Sequence, residues 1–226
     1  MKKQNAGRIG QKGIIRLSTK PLLITITKDN WMKILNLYAG LGGNRKLWEG
    51  HEVTAVEYNQ EIAGLYSSYF PNDTVIVGDA HQYLLEHYNE FDFIWSSPPC
   101  PTHSRPRMWA SKGGRYPVKY PDMKLYEEII LLQSFRGNPW WVENVKPYYT
   151  PLIPVTKSIG RHSGWGNFRV ADFNENDTDT QTWLVTSTTE KYGFSVSSAD
   201  IKHRKDQLIR NLVNPLIGLH ILNSIP

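Results

Sequence analysis

Ile34-Leu35-Asn36-Leu37-Tyr38-Ala39-Gly40-Leu41-Gly42-Gly43 is the stretch on which the fold turns. Its first five residues, Ile34 to Tyr38, read as a short apolar strand. The glycines after them allow a tight turn into a short helix ending near Trp48. A strand that passes through bare backbone into a helix start brings N–H groups close to a ligand at the edge of a sheet. Taken alone such a turn is often only geometry. Working outward, the unit recurs: Val53–Glu57 reads as a second strand, and Gln60–Tyr69 carries Ile62, Leu65, Tyr66 and Tyr69 at helical spacing. Thr74–Val77 follows as a third strand, His81–His87 as a short helix, and Phe91–Ser96 as a fourth strand ending at a double proline. Asp122 caps a helix through Leu125, Ile129, Leu132 and Phe135, which Gly137-Asn138-Pro139 stops before a fifth strand, Trp140–Glu143. Repeated strand–helix–strand units predict an α/β fold with a doubly wound, mostly parallel sheet.

The chain has 226 residues, 40% apolar and 21% charged, a length for one domain with a modest appendage. No apolar run approaches the roughly 18 residues of a membrane-spanning helix. A single cysteine excludes a disulfide framework and any multi-cysteine metal site. The formal charge of +5 is unevenly spread. Lys2, Lys3, Arg8, Lys12, Arg16, Lys20 and Lys28 face only Asp29 within residues 1–31, and Arg105, Arg107, Lys112, Arg115 and Lys119 face no acid within residues 101–121. The rest of the chain is acidic on balance. Residues 1–31, with a strand candidate at Leu22–Thr27, read as a basic appendage without a secretory cleavage site. The working domain is expected to begin near Met32. After Asn167 the pattern degrades: Asp172–Thr182 reads as a polar loop, and order returns over Asp206–Leu222, interrupted by Pro215.

Acids stand where the strands end. Glu57 follows the glycine turn by about twenty residues, the place from which a carboxylate binds ribose hydroxyls. Asp79, after the third strand, is placed to accept from an adenine amine. Each acid alone reads equally well as a surface residue; together with the glycine turn they favour a nucleoside site. Cys100, after Ser96-Ser97-Pro98-Pro99, opens at the carboxyl end of strand four, where open α/β sheets carry their chemistry. A lone cysteine is by default a small buried hydrophobe. Here it opens a polar, basic loop with Trp109, Tyr116 and Tyr120 interleaved, a composition suited to phosphates and an unstacked base. Glu143, ending strand five, would lie beside Cys100, and a carboxyl paired with a thiol suits nucleophilic addition to a ring that must also be protonated.

In these ordered blocks the chain resembles the DNA cytosine-5 methyltransferases, in the compact form familiar from phages and orphan enzymes. Leu35 to Gly43 is similar to the family's cofactor block, with Tyr38 where the family usually has Phe. Glu57-Tyr58 and Gly78-Asp79-Ala80 look like the ribose and adenine blocks, Pro98-Pro99-Cys100 like the nucleophile block, and Glu143-Asn144-Val145 like the acid block. The resemblance implies a Rossmann-like fold of the class I S-adenosylmethionine-dependent type. It implies S-adenosylmethionine held by Tyr38, Ala39, Gly40, Gly42, Glu57, Tyr58, Asp79, Ala80, Pro99 and Asn211. It further implies that Cys100 adds to carbon 6 of a cytosine flipped from double-stranded DNA. Glu143 then assists at ring nitrogen 3, and the methyl group goes to carbon 5. Ser104, Arg105, Arg107, Lys112, Arg115 and Lys119 would form a nucleic-acid-binding lid.

Departures accompany the match. Pro101-Thr102-His103-Ser104 replaces the usual Gln-x-Phe-Ser, and only Ser104 agrees. Arg161-His162-Ser163-Gly164-Trp165-Gly166-Asn167 stands for the Arg-x-Arg block, with His162 in the second arginine's place and Arg161 one residue away. In Arg210-Asn211-Leu212-Val213-Asn214-Pro215, Asn211 matches the family's asparagine. Rival readings are a tRNA cytosine-5 methyltransferase of the same fold, a non-catalytic regulatory paralogue, and a small-molecule methyltransferase. The tRNA branch carries a Cys-Phe-Thr signature that this one-cysteine chain lacks; regulatory paralogues lose the cysteine or cofactor block; the basic loop disfavours small molecules. No metal and no membrane are expected, and the resemblance suggests a cytoplasmic monomer in a bacterial or phage-infected cell, with a cognate restriction enzyme as a candidate partner. A reduced target-recognition region at about 168–205 is shorter than the roughly 50 residues of an ordinary small domain. A short target read by loops is therefore expected, and bisulfite sequencing of methylated plasmid checks it; a strict site of about six or more base pairs contradicts it.

Overall fold

The computed structural model describes residues 31–173, 193–194, 208–209 and 211–226. Its strands are β1 (Lys33–Leu37), β2 (Glu52–Glu57), β3 (Thr74–Val77), β4 (Phe93–Ser96), β5 (Trp140–Val145), β6 (Lys157–Ile159) and β7 (His162–Gly166). They form one sheet in the order β3-β2-β1-β4-β5-β7-β6. The first five are mutually parallel, and β7 runs antiparallel to both β5 and β6. Strand order reverses between β1 and β4, which creates the crevice at the carboxyl edge where doubly wound sheets bind ligands. The expected doubly wound, mostly parallel sheet is present.

Helices cover both faces: α1 (Gln60–Tyr69), α2 (Ala80–His87), α3 (Arg105–Lys112), α4 (Lys124–Phe135) and α5 (Pro215–Leu222), with a 3-10 turn at Asn44–Leu47. The period of two in the strands divides the core. Leu35, Leu37, Ile94 and Val142 meet Leu84 of α2 and Ile129 of α4 on one face. Ile34, Phe93, Trp95 and Trp141 meet Trp48 and Ile217 of α5 on the other. Two side-chain caps set helix starts: Asn59 accepts from the N–H groups of Glu61 and Ile62, and Asp79 from those of His81 and Gln82. Each such cap stabilises its helix by about 1 kcal/mol.

Four details differ from the sequence reading. Residues 101–121 contain α3, because Ser104 and Pro106 start a helix that lacks an apolar stripe. Pro215 begins α5 instead of interrupting it: its missing N–H costs nothing at a first turn, and Asn214 caps Leu216 N. The helix after Asp122 starts one residue later than expected, although Asp122 Oδ1 still accepts from Lys124 N at 3.1 Å. The β6–β7 hairpin continues the sheet where no strand was expected. Leu22–Thr27 and nearly all of the Asp172–Thr182 stretch lie outside the described residues, as does the appendage as a whole save Trp31.

The hairpin packs because Gly164, opposite Glu143, has no side chain. A Cβ there would fall 1.8 Å from the Trp141 ring. Gly164→Ala is expected to cost about 1–3 kcal/mol by overpacking, read from urea unfolding. A change within about 0.5 kcal/mol, the scatter of ordinary surface substitutions, contradicts this packing.

Candidate active site

The glycine turn is strained in the way that its sequence allows. Tyr38 and Gly40 both lie in the left-handed region, at φ 56° and 55°. For a non-glycine residue this is costly and is held only by its surroundings. Glu57, at the end of β2, supplies part of that support: Oε2 accepts from Gly40 N at 3.0 Å and Oε1 from Asn59 N at 2.9 Å. Each oxygen keeps a second lone pair, so a vicinal diol can still be bound there. Asp79 caps α2 and lies 3.6 Å from Lys124 Nζ. Slight burial pushes its carboxyl up, but the two N–H bonds and Lys124 outweigh that and hold it below the usual range. Tyr58 stands exposed at the same edge, whereas the side chain of Ala80 is buried against α2 and α4 and leaves only backbone for a ligand. The N–H groups of Ala39, Gly40 and Gly42 are taken by Val56 O, Glu57 Oε2 and Ala39 O, and the two strand-end carboxylates fit the nucleoside part of S-adenosylmethionine.

The nucleophile loop is fixed from several sides. Pro98 is buried and its carbonyl accepts from Asn144 Nδ2 of β5 at 2.9 Å. The carbonyl of Cys100 accepts from the N–H groups of His103 and Ser104, and that of His103 from Tyr148 N. Thr102 Oγ1 accepts from Asp122 N at 2.9 Å. His103 is fully buried, with Nδ1 2.6 Å from Tyr149 Oη. Burial pushes its imidazole down, so it is neutral at physiological pH. Asn144 and His103 were given no role from sequence, although Asn144 lies within the acid block and both follow directly from residues already singled out.

Cys100 and Glu143 are within electrostatic reach of one another. Burial pushes the Cys100 thiol up, Glu143 pushes it further, and Arg161 draws it back. Glu143 is buried, and its Oε2 has no hydrogen-bond partner among the described residues. His162 Nε2 lies 3.8 Å from that oxygen, too far for a hydrogen bond. Burial lowers the His162 pKa, Glu143 opposes it, and Arg161 and Lys146 add to the lowering. Glu143 and His162 wall a cavity floored by Trp95, Trp141, Val213 and Ile217. A buried carboxylate oxygen without a donor, beside a neutral imidazole in an apolar cavity, is incomplete as structure and suits a ligand N–H. Arg161 reaches the carbonyl of Leu212 with Nη2 at 3.4 Å.

The basic segment lies outside this cavity. Arg105, Lys112, Arg115 and Lys119 are exposed, Arg107 stacks 4.3 Å from the Tyr116 ring centroid, and Trp109 and Tyr120 are exposed beside them. Ser104 N-caps α3 by position. Pro99 and Asn211 are exposed, and Arg210 lies outside the described residues. Among the described residues no group of three or more His, Cys, Asp or Glu could hold a metal ion, and no helix is long and apolar enough to cross a membrane.

The doubly wound sheet places the glycine turn after β1 and the cysteine loop after β4 at one edge. Residues 32–131, the segment holding both the turn and Cys100, match the model of the C-5 cytosine-specific DNA methylase family. No match is found among curated proteins. Among solved structures, the chain is similar to a DNMT2 variant from Spodoptera frugiperda at 26% identity, covering 50% of this chain and 35% of that one, with a TM-score of 0.37. NSun6 from Pyrococcus horikoshii with SFG aligns at 16% identity over 52% of this chain and 34% of that one, with a TM-score of 0.39. A SAM-dependent methyltransferase from Agrobacterium tumefaciens aligns at 14% identity over 53% and 40%, with a TM-score of 0.36.

The raised thiol has a direct consequence. Alkylation of Cys100 by iodoacetamide is expected to reach half of its plateau rate above about pH 8.5, the midpoint of a free thiol. Glu143→Gln, which removes a nearby negative charge, is expected to speed it at pH 8. A plateau at or below neutrality would show a pre-formed thiolate and contradict this electrostatic arrangement.

Proposed function

We propose that the chain is an S-adenosylmethionine-dependent DNA cytosine-5 methyltransferase with Cys100 as nucleophile. The observation that carries this reading is the pairing of Cys100 with a buried Glu143 whose Oε2 lacks a donor. Cytosine carries an exocyclic amine beside ring nitrogen 3, which matches a carboxyl that both accepts from the amine and shares a proton with the ring. Once the base is bound, Sγ of Cys100 loses its proton to solvent and forms a bond to carbon 6 as the carbon 5–carbon 6 double bond opens. Glu143 shares a proton with ring nitrogen 3 as the ring gains electron density, and carbon 5 becomes nucleophilic. S-adenosylmethionine, when bound, supplies the methyl group that carbon 5 accepts. Loss of the carbon 5 proton to a base then returns the electron pair to the ring and expels the thiolate.

The remaining residues orient and bind. Gly40 and the backbone of Ala39 would face the cofactor, with Gly42 packed against Tyr66 and Phe70 to hold the turn, Tyr38 as part of the turn, Glu57 toward the ribose, and Tyr58 and Asp79 toward the adenine. Asn144 holds the Pro98–Cys100 loop against β5. Arg161 and His162 would complete the base pocket, Arg161 by charge near Cys100 and His162 as a neutral partner near Glu143. Arg105, Arg107, Lys112, Arg115 and Lys119 would bind phosphates across the opening, with Trp109 and Tyr120 near an unstacked strand.

The basic, acid-free segment supports nucleic acid over a small molecule, and the C-5 cytosine-specific DNA methylase match supports DNA over tRNA. The test is transfer of tritiated methyl from S-adenosylmethionine to plasmid DNA or to tRNA. Incorporation into DNA is expected, falling by about 10³-fold or more in Cys100→Ser. Undiminished DNA methylation in Cys100→Ser would overturn the covalent mechanism, and incorporation into tRNA alone would overturn the choice of DNA.

A further inference from the structure

One buried carboxylate is used by none of these steps. Glu128 lies on the inner face of α4 with its side chain 1% exposed. Its Oε1 accepts from Tyr38 Oη at 2.5 Å and lies 3.0 Å from His81 Nδ1, and its Oε2 accepts from Ser96 Oγ at 2.6 Å. Three partners from three separate elements converge on one group. Each stands beside a part of the candidate site: Tyr38 in the left-handed turn after β1, Ser96 at the end of β4 before the Cys100 loop, His81 two residues past Asp79. Neither a surface helix nor the apolar packing of α4 requires an acid here, and burying one is unfavourable unless its partners hold it.

We propose that Glu128 is a positioning residue of the cofactor site, fixing the Tyr38 turn, the Ser96 end of β4 and the His81 start of α2 in one relative arrangement; this rests on reading that edge as the S-adenosylmethionine site. The Tyr38 hydroxyl is the part specific to this chain, since the family's usual phenylalanine could not make the bond. Without it Glu128 would keep Ser96 and His81, while the strained Tyr38 conformation would lose its side-chain anchor.

The network also contains a titratable group, His81. His81 Nε2 lies 3.2 Å from Glu127 Oε2, so its ring bridges two carboxylates of α4. Lys124 on the same helix opposes its charge, and Asp79 on its own helix favours it. The bond to Glu128 raises the His81 pKa above the ordinary value of 6.5 against partial burial. The protonated ring therefore supports the arrangement fully below the ordinary value of 6.5, and the support is lost as pH rises through the raised value.

The experiment is calorimetric titration of the full chain with S-adenosylmethionine from about pH 6 to 8.5, for the wild type, Tyr38→Phe and His81→Gln, with circular dichroism confirming folded protein. Wild-type affinity is expected to fall by about three- to tenfold across that range, the difference between a charge-assisted and a neutral hydrogen bond. Tyr38→Phe is expected to bind about three- to tenfold more weakly throughout while keeping the pH slope, and His81→Gln to lose the slope. Wild-type binding with unchanged affinity and slope in both variants overturns the role of Glu128. No binding by the wild type overturns instead the assignment of the edge to this cofactor, and the proposal with it.

Discussion

The buried hydrogen bond from Asn144 Nδ2 to the carbonyl of Pro98 joins the two halves of the site. It spans the parallel pair β4–β5 just beyond the point where Ser96 and Val142 are in register. Ladder pairing alone sets the strands side by side but leaves the loop after β4 free to choose a direction. With Asn144 holding Pro98, the chain must leave the sheet so that Cys100 stands near Glu143. The double proline restricts the backbone further, and the two N–H groups on the Cys100 carbonyl close the turn into α3. Everything chemical in the site follows from that juxtaposition.

Electrostatics then divides the labour among neighbours. Burial and Glu143 keep Cys100 a thiol in the resting protein, with Arg161 as the opposing charge. A nucleophile protonated at rest is protected from stray oxidation, and it is activated only when a substrate changes its surroundings. His162, whose pKa burial lowers, adds no permanent charge beside Glu143. The cavity therefore offers a lone carboxylate oxygen and an uncharged imidazole with Lys157 in its lining, whereas the cations of α3 and the segment after it stay outside.

Much of this was legible in the chain because local pattern and tertiary role agree. β1, β2, β3 and α1 are apolar runs or stripes with clear turn residues, and Cys100 and Glu143 are named by their places at strand ends. The hairpin β6–β7 was not legible: His162 to Gly166 holds two glycines, and its stability comes from Gly164 admitting the Trp141 ring. The helix α3 was hidden because Arg105, Arg107 and Lys112 interrupt it and none of its residues is buried, so no apolar period marks it. Pro215 misled because proline breaks helices everywhere except at their first turn. Glu128 was invisible for a different reason. A charge within an apolar helix reads as its solvated side, and only the fold brings Tyr38, Ser96 and His81 to it.

The central claim is that Cys100 adds to carbon 6 of a cytosine in DNA. Its most direct test is duplex DNA synthesised with 5-fluorocytosine, incubated with the protein and S-adenosylmethionine. Fluorine at carbon 5 cannot leave as a proton does, so the thiolate is not expelled once the methyl group is in place. A protein–DNA adduct that survives denaturation, mapped by mass spectrometry to the peptide containing Cys100 and absent in Cys100→Ala, is the predicted result. No adduct on DNA under conditions where methyl transfer occurs, or an adduct that persists in Cys100→Ala, would contradict the account.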